Sequence, residues 1–415
     1  MLRPLLLMGS SAVALGLSLV DTPAAYAIEG EVSPEFAAAP SVQLRLFPEN
    51  GEEPLVEKEF PYSTHWAPSA ALELEAGLHT SDDRFQLQSR LFGRLDATDE
   101  QRTHADVREA YILHAAPWIS VQVGMGVVFW GVTESTHLVD IINQADLLEE
   151  PTGEVKLGQP LWRLSLSSTD WGSLNLFVLP FFRERVYPGP RGRPRYAIPV
   201  NEGASTFDSE REERNVSAAA RWSGFHGSWD WGLSYFYGTS REPQLRAQPS
   251  PGGGLTLVPH YDLIHQAGLE LQWTGEAWLW KLEAMARQGQ GPLFGAAVAG
   301  FEYTLYELVD GADVGLVAEG GYDGRDNDAF VIMDHDAFAG VRWNGNDVQS
   351  TTALLGAIVD VEHGATVLRA EGSRRLGESF QLSLESYLFL PSKRRDIVWF
   401  LEGESYLSLA LTYFR

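Results

Sequence analysis

The chain has 415 residues, no cysteine, and 56 acidic against 31 basic side chains, a formal net charge of −25. That balance excludes a nucleic-acid partner, which needs a basic footprint. The missing thiols exclude thiol catalysis and thiolate metal sites, and the length suits one large barrel better than one soluble domain.

Residues 1–27 have the form of a secretory signal peptide, with Arg3, an apolar run from Leu5 to Val20, and a small-x-small cleavage site at Ala25-Tyr26-Ala27. No later stretch approaches the roughly 20 apolar residues of a membrane-crossing helix. Residues 28–67 read as an irregular segment in which Val42, Leu44 and Leu46 mark a first strand. Residues 68–415 then repeat one pattern, segments of about ten residues with apolar side chains at alternate positions, which is what a strand crossing a bilayer requires.

Strands are expected near 69–78, 84–95, 104–113, 118–129, 159–167, 172–181, 214–222, 228–238, 264–274 and 276–287. The series continues at 298–307, 312–323, 336–343, 350–360, 364–374, 379–390 and 403–414. With the strand near residue 42 the count is roughly 18, or 16 if two are miscounted, and single-chain bacterial barrels carry an even number. Short turns near 115–117, 168–170, 223–227, 274–275, 309–311 and 376–378 alternate with long connections at 130–158, 182–213, 239–263, 288–297 and 324–335. Short periplasmic turns and long outer loops are the mark of an all-β, antiparallel transmembrane barrel in the outer membrane of a Gram-negative bacterium. The pairs Trp229/Trp231, Tyr235/Tyr237 and Trp278/Trp280 suit the aromatic girdles of such a barrel.

The faces sort by polarity. In 84–95, Phe85, Leu87, Leu91 and Leu95 oppose Gln86, Gln88, Arg90 and Arg94, while Glu109 breaks the phase by sharing a face with Val107 and Tyr111. By phase, Arg90, Arg94, Arg108, Arg163, Arg221, Arg287, Arg342 and Arg369 point inward, as do Asp106, Glu270, Glu283, Glu319, Glu371 and Glu385. Two arrangements fit: an arginine-lined path that selects solute, or ion pairs that stiffen the lumen.

Around residues 104–146 the chain reads Asp106-Val-Arg-Glu-Ala-Tyr111, then Gly124-Met-Gly-Val-Val-Phe-Trp-Gly131, then Asp140-Ile-Ile-Asn143 and Asp146. This resembles outer-membrane porin-like proteins of the DUF1302 type, which are distantly similar to alginate-export porins. The resemblance implies an outer-membrane channel for a hydrophobic or anionic small solute. Separately, the sequence has no Gly-x-Ser-x-Gly elbow, no HExxH, no P-loop and no GxGxxG, so no cofactor and no enzymatic activity are expected. Such barrels usually end in Phe; here Tyr413 and Phe414 precede Arg415, so an insertion signal read by the barrel-assembly machinery is expected at Tyr413–Phe414.

The connection 130–158 carries Trp130, Glu134, His137, Asp140, Asn143 and Asp146 among apolar residues, and is expected to fold inward as a constriction. Arg183, Arg185, Arg191, Arg193 and Arg195 form a basic run that either meets lipopolysaccharide phosphates or pairs with nearby acids. Asp323, Asp326, Asp328, Asp334 and Asp336 match no EF-hand spacing, and no metal site is expected. Partners are otherwise outer-membrane lipids, the solute, and further copies in a homo-trimer. The alternatives from other classes are a lipid- or polysaccharide-acting enzyme built on His104 and Asp106, and a non-conducting scaffold or adhesin.

Overall fold

In a computed structural model, residues 32–48, 65–250, 253–325, 335–392 and 397–414 are described. Residues 1–27, expected to be a signal peptide, Arg415, and Asp326, Asp328 and Asp334 of the aspartate run lie outside them. The first seven strands are β1 Val32–Leu46, β2 Trp66–Thr80, β3 Phe85–Asp96, β4 His104–Ala116, β5 Ile119–Gly126, β6 Gln159–Ser168 and β7 Gly172–Leu179. The short β8 Thr206–Phe207 follows, then β9 Ser217–His226 and β10 Trp229–Thr239, then β11 Gln244–Pro249 and β12 Leu255–Tyr261. The remainder are β13 Leu263–Thr274, β14 Trp278–Gly289, β15 Gly291–Val309, β16 Ala312–Asp323, β17 Asp336–Asn344, β18 Thr352–Asp360, β19 Thr366–Leu376, β20 Phe380–Leu390 and β21 Tyr406–Tyr413. A single helical turn, α1 Ile397–Phe400, precedes β21.

Eighteen strands pair antiparallel with their chain neighbours, and β1 closes on β21 through Ser41↔Thr412 to Leu46↔Leu407. Closure leaves no exposed edge, the condition for a sheet to exist in hydrocarbon. β8, β11 and β12 form a separate small sheet beyond the long-connection end of the barrel. Every expected strand has a counterpart, and the count is the larger of the two expected.

One connection differs. Residues 288–297 are strand rather than loop, because Gln290 alone joins β14 to β15. The alternation simply continues through this stretch, with Leu293 70% exposed on the outside and Phe294 and Ala296 buried inside.

The irregularity at Glu109 has a structural cause. In the β3–β4 ladder Arg90 pairs with Glu109 and Leu91 with Val107, so Arg108 is an extra residue in a β-bulge. The bulge resets the phase. Asp106 and Arg108 are buried above it, and Glu109 also turns inward, 3.5 Å from Arg90.

The outer face is apolar along its length, with Leu72, Leu87, Leu91, Ile112, Val123, Leu233, Leu316, Leu355 and Leu384 all exposed. Exposed aromatics gather at both ends. Trp118, Trp171, Trp222, Trp229, Trp278 and Phe380 sit at the short-turn end, and Trp66, Phe129, Trp162, Tyr237 and Tyr322 sit at the opposite one. Trp278 stacks on Trp280 at 5.8 Å and meets Tyr303 at 4.5 Å, so adjacent strands share one girdle.

Candidate functional site

The connection between β5 and β6, residues 127–158, turns back between inward-facing side chains of the barrel. Its apolar half packs against one arc. Val128, Trp130, Val139, Ile141 and Ile142 cluster with Leu161, Phe177, Leu179, Ala219, Phe236 and Ile264 on β6, β7, β9, β10 and β13. Val139 and Ile142 have no exposed surface. Burying a side chain of this size is worth about 1.5–3 kcal/mol, so this cluster fixes where the loop sits.

Its polar half meets charged side chains on the rest of the circumference. Glu283 of β14, fully buried, accepts the Val132 N–H at 2.7 Å, the Thr133 N–H at 3.0 Å and the Thr133 hydroxyl at 2.6 Å on Oε1, and the Val139 N–H at 3.3 Å on Oε2. Glu270 of β13 accepts the Gly131 N–H at 3.0 Å. Glu319 of β16 accepts the Glu134 and Ser135 N–H groups at 2.7 and 2.8 Å. Three barrel carboxylates therefore satisfy backbone donors that a buried loop cannot leave unpaired. Gly131 is required here. Its φ is +141°, and a Cβ would lie 2.9 Å from Glu283 Oε1 and 2.8 Å from His137 Nδ1.

The Asp-x-x-Asn-x-x-Asp spacing shapes this loop from within. Asp140 Oδ1 accepts the Trp130 N–H at 3.3 Å, and its Oδ2 lies 3.1 Å from Lys156 Nζ. Asn143 accepts the Val128 N–H at 2.9 Å and donates to the Gly126 and Leu157 carbonyls at 2.8 Å each, joining both stems of the loop. Asp146 binds Arg108 at 2.6 Å and caps the following turn by accepting the Leu148 N–H at 3.2 Å. Trp130 is buried edge-on against Phe177 at 5.7 Å.

The inward arginines are largely paired. Arg90 lies 3.5 Å from Glu109, Arg94 2.6 Å from Glu149, Arg108 2.6 Å from Asp146 and Arg221 2.7 Å from Glu270. Arg287 lies 2.7 Å from Glu242 and Arg369 2.9 Å from Glu371, while Arg342 pairs with Glu134. Arg163 stands apart, with no carboxylate within 4.0 Å among the described residues. Arg94, Arg108, Arg342 and Arg369 each reach an acid of the 127–158 loop, so the arginines called solute-lining by phase are also its fastenings.

His137 lies 3.7 Å from Glu283 and 4.0 Å from Glu154. Burial alone would lower its pKa, but Glu283, Glu154 and Asp140 outweigh burial and hold it above the ordinary 6.5. Between loop and wall lies a cavity of about 230 Å³, lined by His137, Asp140, Lys156, Glu242, Arg287 and Arg369 among others.

The basic run in 180–216 pairs mostly with residues far along the chain. Arg183 pairs with Asp106 at 2.8 Å, Arg185 donates to Gln144 at 3.1 Å, and buried Arg193 pairs with Glu404 at 3.0 Å while stacking over Phe47 at 4.3 Å. These arginines knit the long connections to one another rather than pairing with the acidic run beside them. Asp323 is bound by Arg325 at 2.6 Å. His104 has a backbone carbonyl and the Asp146 and Glu149 carboxylates as partners, not a hydroxyl. Tyr413 packs on Phe380 at 5.1 Å, and the Phe414 N–H bonds the Ser379 carbonyl, so both close the short-turn end of β21.

Sequence reasoning missed the inward apolar residues Leu161, Phe177, Leu179, Phe236 and Ile264. A signal was present, since Leu174-Asn-Leu-Phe-Val-Leu179 is nearly all apolar, the mark of a strand buried on both faces.

Closure, the apolar exterior, the two girdles and the sorted connections define a Gram-negative outer-membrane β-barrel. No protein-family model matches the chain, and no curated protein matches it in sequence. Among solved structures it is similar to Wzi, an outer-membrane carbohydrate-binding β-barrel involved in group 1 capsule assembly in Escherichia coli, at 9% identity, covering 92% of this chain and 84% of that one with a TM-score of 0.52. It is also similar to OpdQ of Pseudomonas aeruginosa, at 11% identity, 92% and 97% coverage and a TM-score of 0.46. A third is OprB of Pseudomonas putida, at 9% identity, 92% and 94% coverage and a TM-score of 0.44. At these identities the likeness is one of fold.

Proposed function

We propose that this barrel is a substrate-selective channel of the porin kind, passing a small solute by diffusion through a lumen narrowed by residues 127–158. The observation that carries this reading is the double attachment of that loop, greased onto β6–β13 and bonded through its backbone to Glu270, Glu283 and Glu319. A connection built only to cap the barrel has no reason to satisfy its donors with carboxylates of the wall. The solute recognised there is small and polar, because the accessible space is lined by paired guanidinium and carboxylate groups. The DUF1302-type relationship belongs with this proposal and rests on residues 104–146.

Deleting 132–156 tests it in planar bilayers. Single-channel conductance is expected to rise severalfold with the barrel still heat-modifiable on gels; unchanged conductance in a folded variant defeats the proposal. The density of clamps favours one second reading, a closed barrel acting as a scaffold, for which the intact barrel would not conduct at all. Outer-membrane lipids and lipopolysaccharide would surround the exterior, and chemical crosslinking in native membranes reads whether three copies share it.

A further inference from the structure

Asp208, His260 and Asp262 bring three ligand-type atoms within 4.8 Å of one another beyond the long-connection end of the barrel. Asp208 follows β8, His260 lies in β12, and Asp262 joins β12 to β13. His260 Nε2 is 3.2 Å from Asp208 Oδ1 and 3.4 Å from Asp262 Oδ1. Its Nδ1 is bonded to the Thr206 hydroxyl at 2.8 Å, which fixes the ring with Nε2 toward the carboxylates. Metal-binding imidazoles are commonly oriented through the other nitrogen in this way. The Leu263 N–H, bonded to Asp208 Oδ2 at 3.2 Å, fixes the second ligand.

An independent observation points to a ligand. Asp262 is only 4% exposed, and its Oδ2 has no hydrogen-bond partner among the described residues. A buried carboxylate with one oxygen unpaired is costly unless a cation meets it. The Asp208 side chain, 43% exposed, leaves the cluster open on one side to an arriving ion and its waters.

We propose that Asp208, His260 and Asp262 form a binding site for a divalent transition-metal cation of the zinc class. One imidazole nitrogen and two carboxylate oxygens suit such an ion better than calcium, which takes oxygen donors in larger number. Bound metal would fasten the 180–216 connection to the start of β13, the work disulfides would do in a chain with cysteine.

The test is calorimetric titration of ZnCl2 into the purified protein, folded in detergent and stripped with chelator. One saturable equivalent is expected, weakened at least tenfold by Asp262→Asn and by His260→Gln. Asp208→Asn, at a half-exposed position, carries the test if the buried substitutions fail to give the heat-modifiable folded form. Co2+ in place of Zn2+ should give visible absorption that the same variants lose. No saturable binding, or binding unchanged in folded Asp208→Asn, overturns the proposal.

Discussion

Arg163 and Arg94 look alike in the sequence, both inward by phase, yet their surroundings ask for opposite experiments. Arg94 is buried with Glu149 at 2.6 Å and also donates to Gln43 and Ser69. Arg94→Glu sets two carboxylates together, and breaking a buried pair costs about 3–5 kcal/mol, so this variant should lose loop order and read out as lowered thermal stability. Arg163 has no such partner among the described residues. Arg163→Glu should move the reversal potential toward cation preference in a salt gradient while leaving the heat-modified band unchanged; an unmoved potential rejects a place for Arg163 on the conduction path. The phase of a strand tells which way a side chain points. It cannot tell what arrives opposite it from a loop fifty residues away.

His137 gives the loop a pH dependence whose sign follows from its raised pKa. A group held above its ordinary value of 6.5 in the folded state contributes stability fully present below 6.5 and lost as pH rises through the raised value. The loop should therefore be held more tightly at pH 6 than at pH 9. The chain has no cysteine, so a spin label on Thr136→Cys reports its mobility cleanly, and mobility should rise with pH. The same label in a His137→Gln background should give a flat profile; a profile that still rises assigns the effect to another group.

At the scale of the element, the 127–158 loop is held by unlike attachments on different arcs, and each predicts a different loss. Glu283→Ala removes the acceptor for Val132, Thr133 and Val139 at a fully buried position. Each stranded donor costs about 1–3 kcal/mol, so the loop should detach from β14 and conductance should become larger and noisier. Ile142→Ala, on the apolar side, costs about 2–5 kcal/mol and should loosen the loop from β6–β13 instead. The inward fold of this segment was legible because Leu138, Val139, Ile141 and Ile142 have no place in a solvated loop. Its fastening to Glu270, Glu283 and Glu319 was not, because those bonds run to backbone N–H groups, which carry no residue identity. The arginines of 180–216 show the same limit: their number was visible, but their partners Asp106, Gln144 and Glu404 lie far along the chain.

At the scale of the whole molecule, the strand pattern was almost fully readable, since a bilayer enforces alternation on every spanning segment. What remained hidden was height. β14 and β15 run on through residues where turn-forming glycines suggested a loop, and Gly289-Gln290-Gly291 makes the turn in the space of one residue. The exterior gives a prediction of its own. Leu91→Arg places a charge on the outer face near mid-strand, at a cost of about 2–4 kcal/mol, whereas Gln88→Arg on the inner face should cost little. Denaturant unfolding in lipid vesicles compares the two, and equal losses would remove the assignment of faces.

The extra residue at Arg108 makes β4 a strand of two parities. Below it the odd positions look inward; above it the even ones do. Excising residue 108 would therefore heal the ladder without turning either stretch over: Glu109 inward would be followed by Val107 outward and Asp106 inward, and what is lost is the Arg108 pair with Asp146. A one-residue insertion or deletion in an unbulged spanning segment would instead turn the stretch beyond it over, apolar side inward, so tolerated length changes in such a barrel are confined to its connections and to this one irregularity.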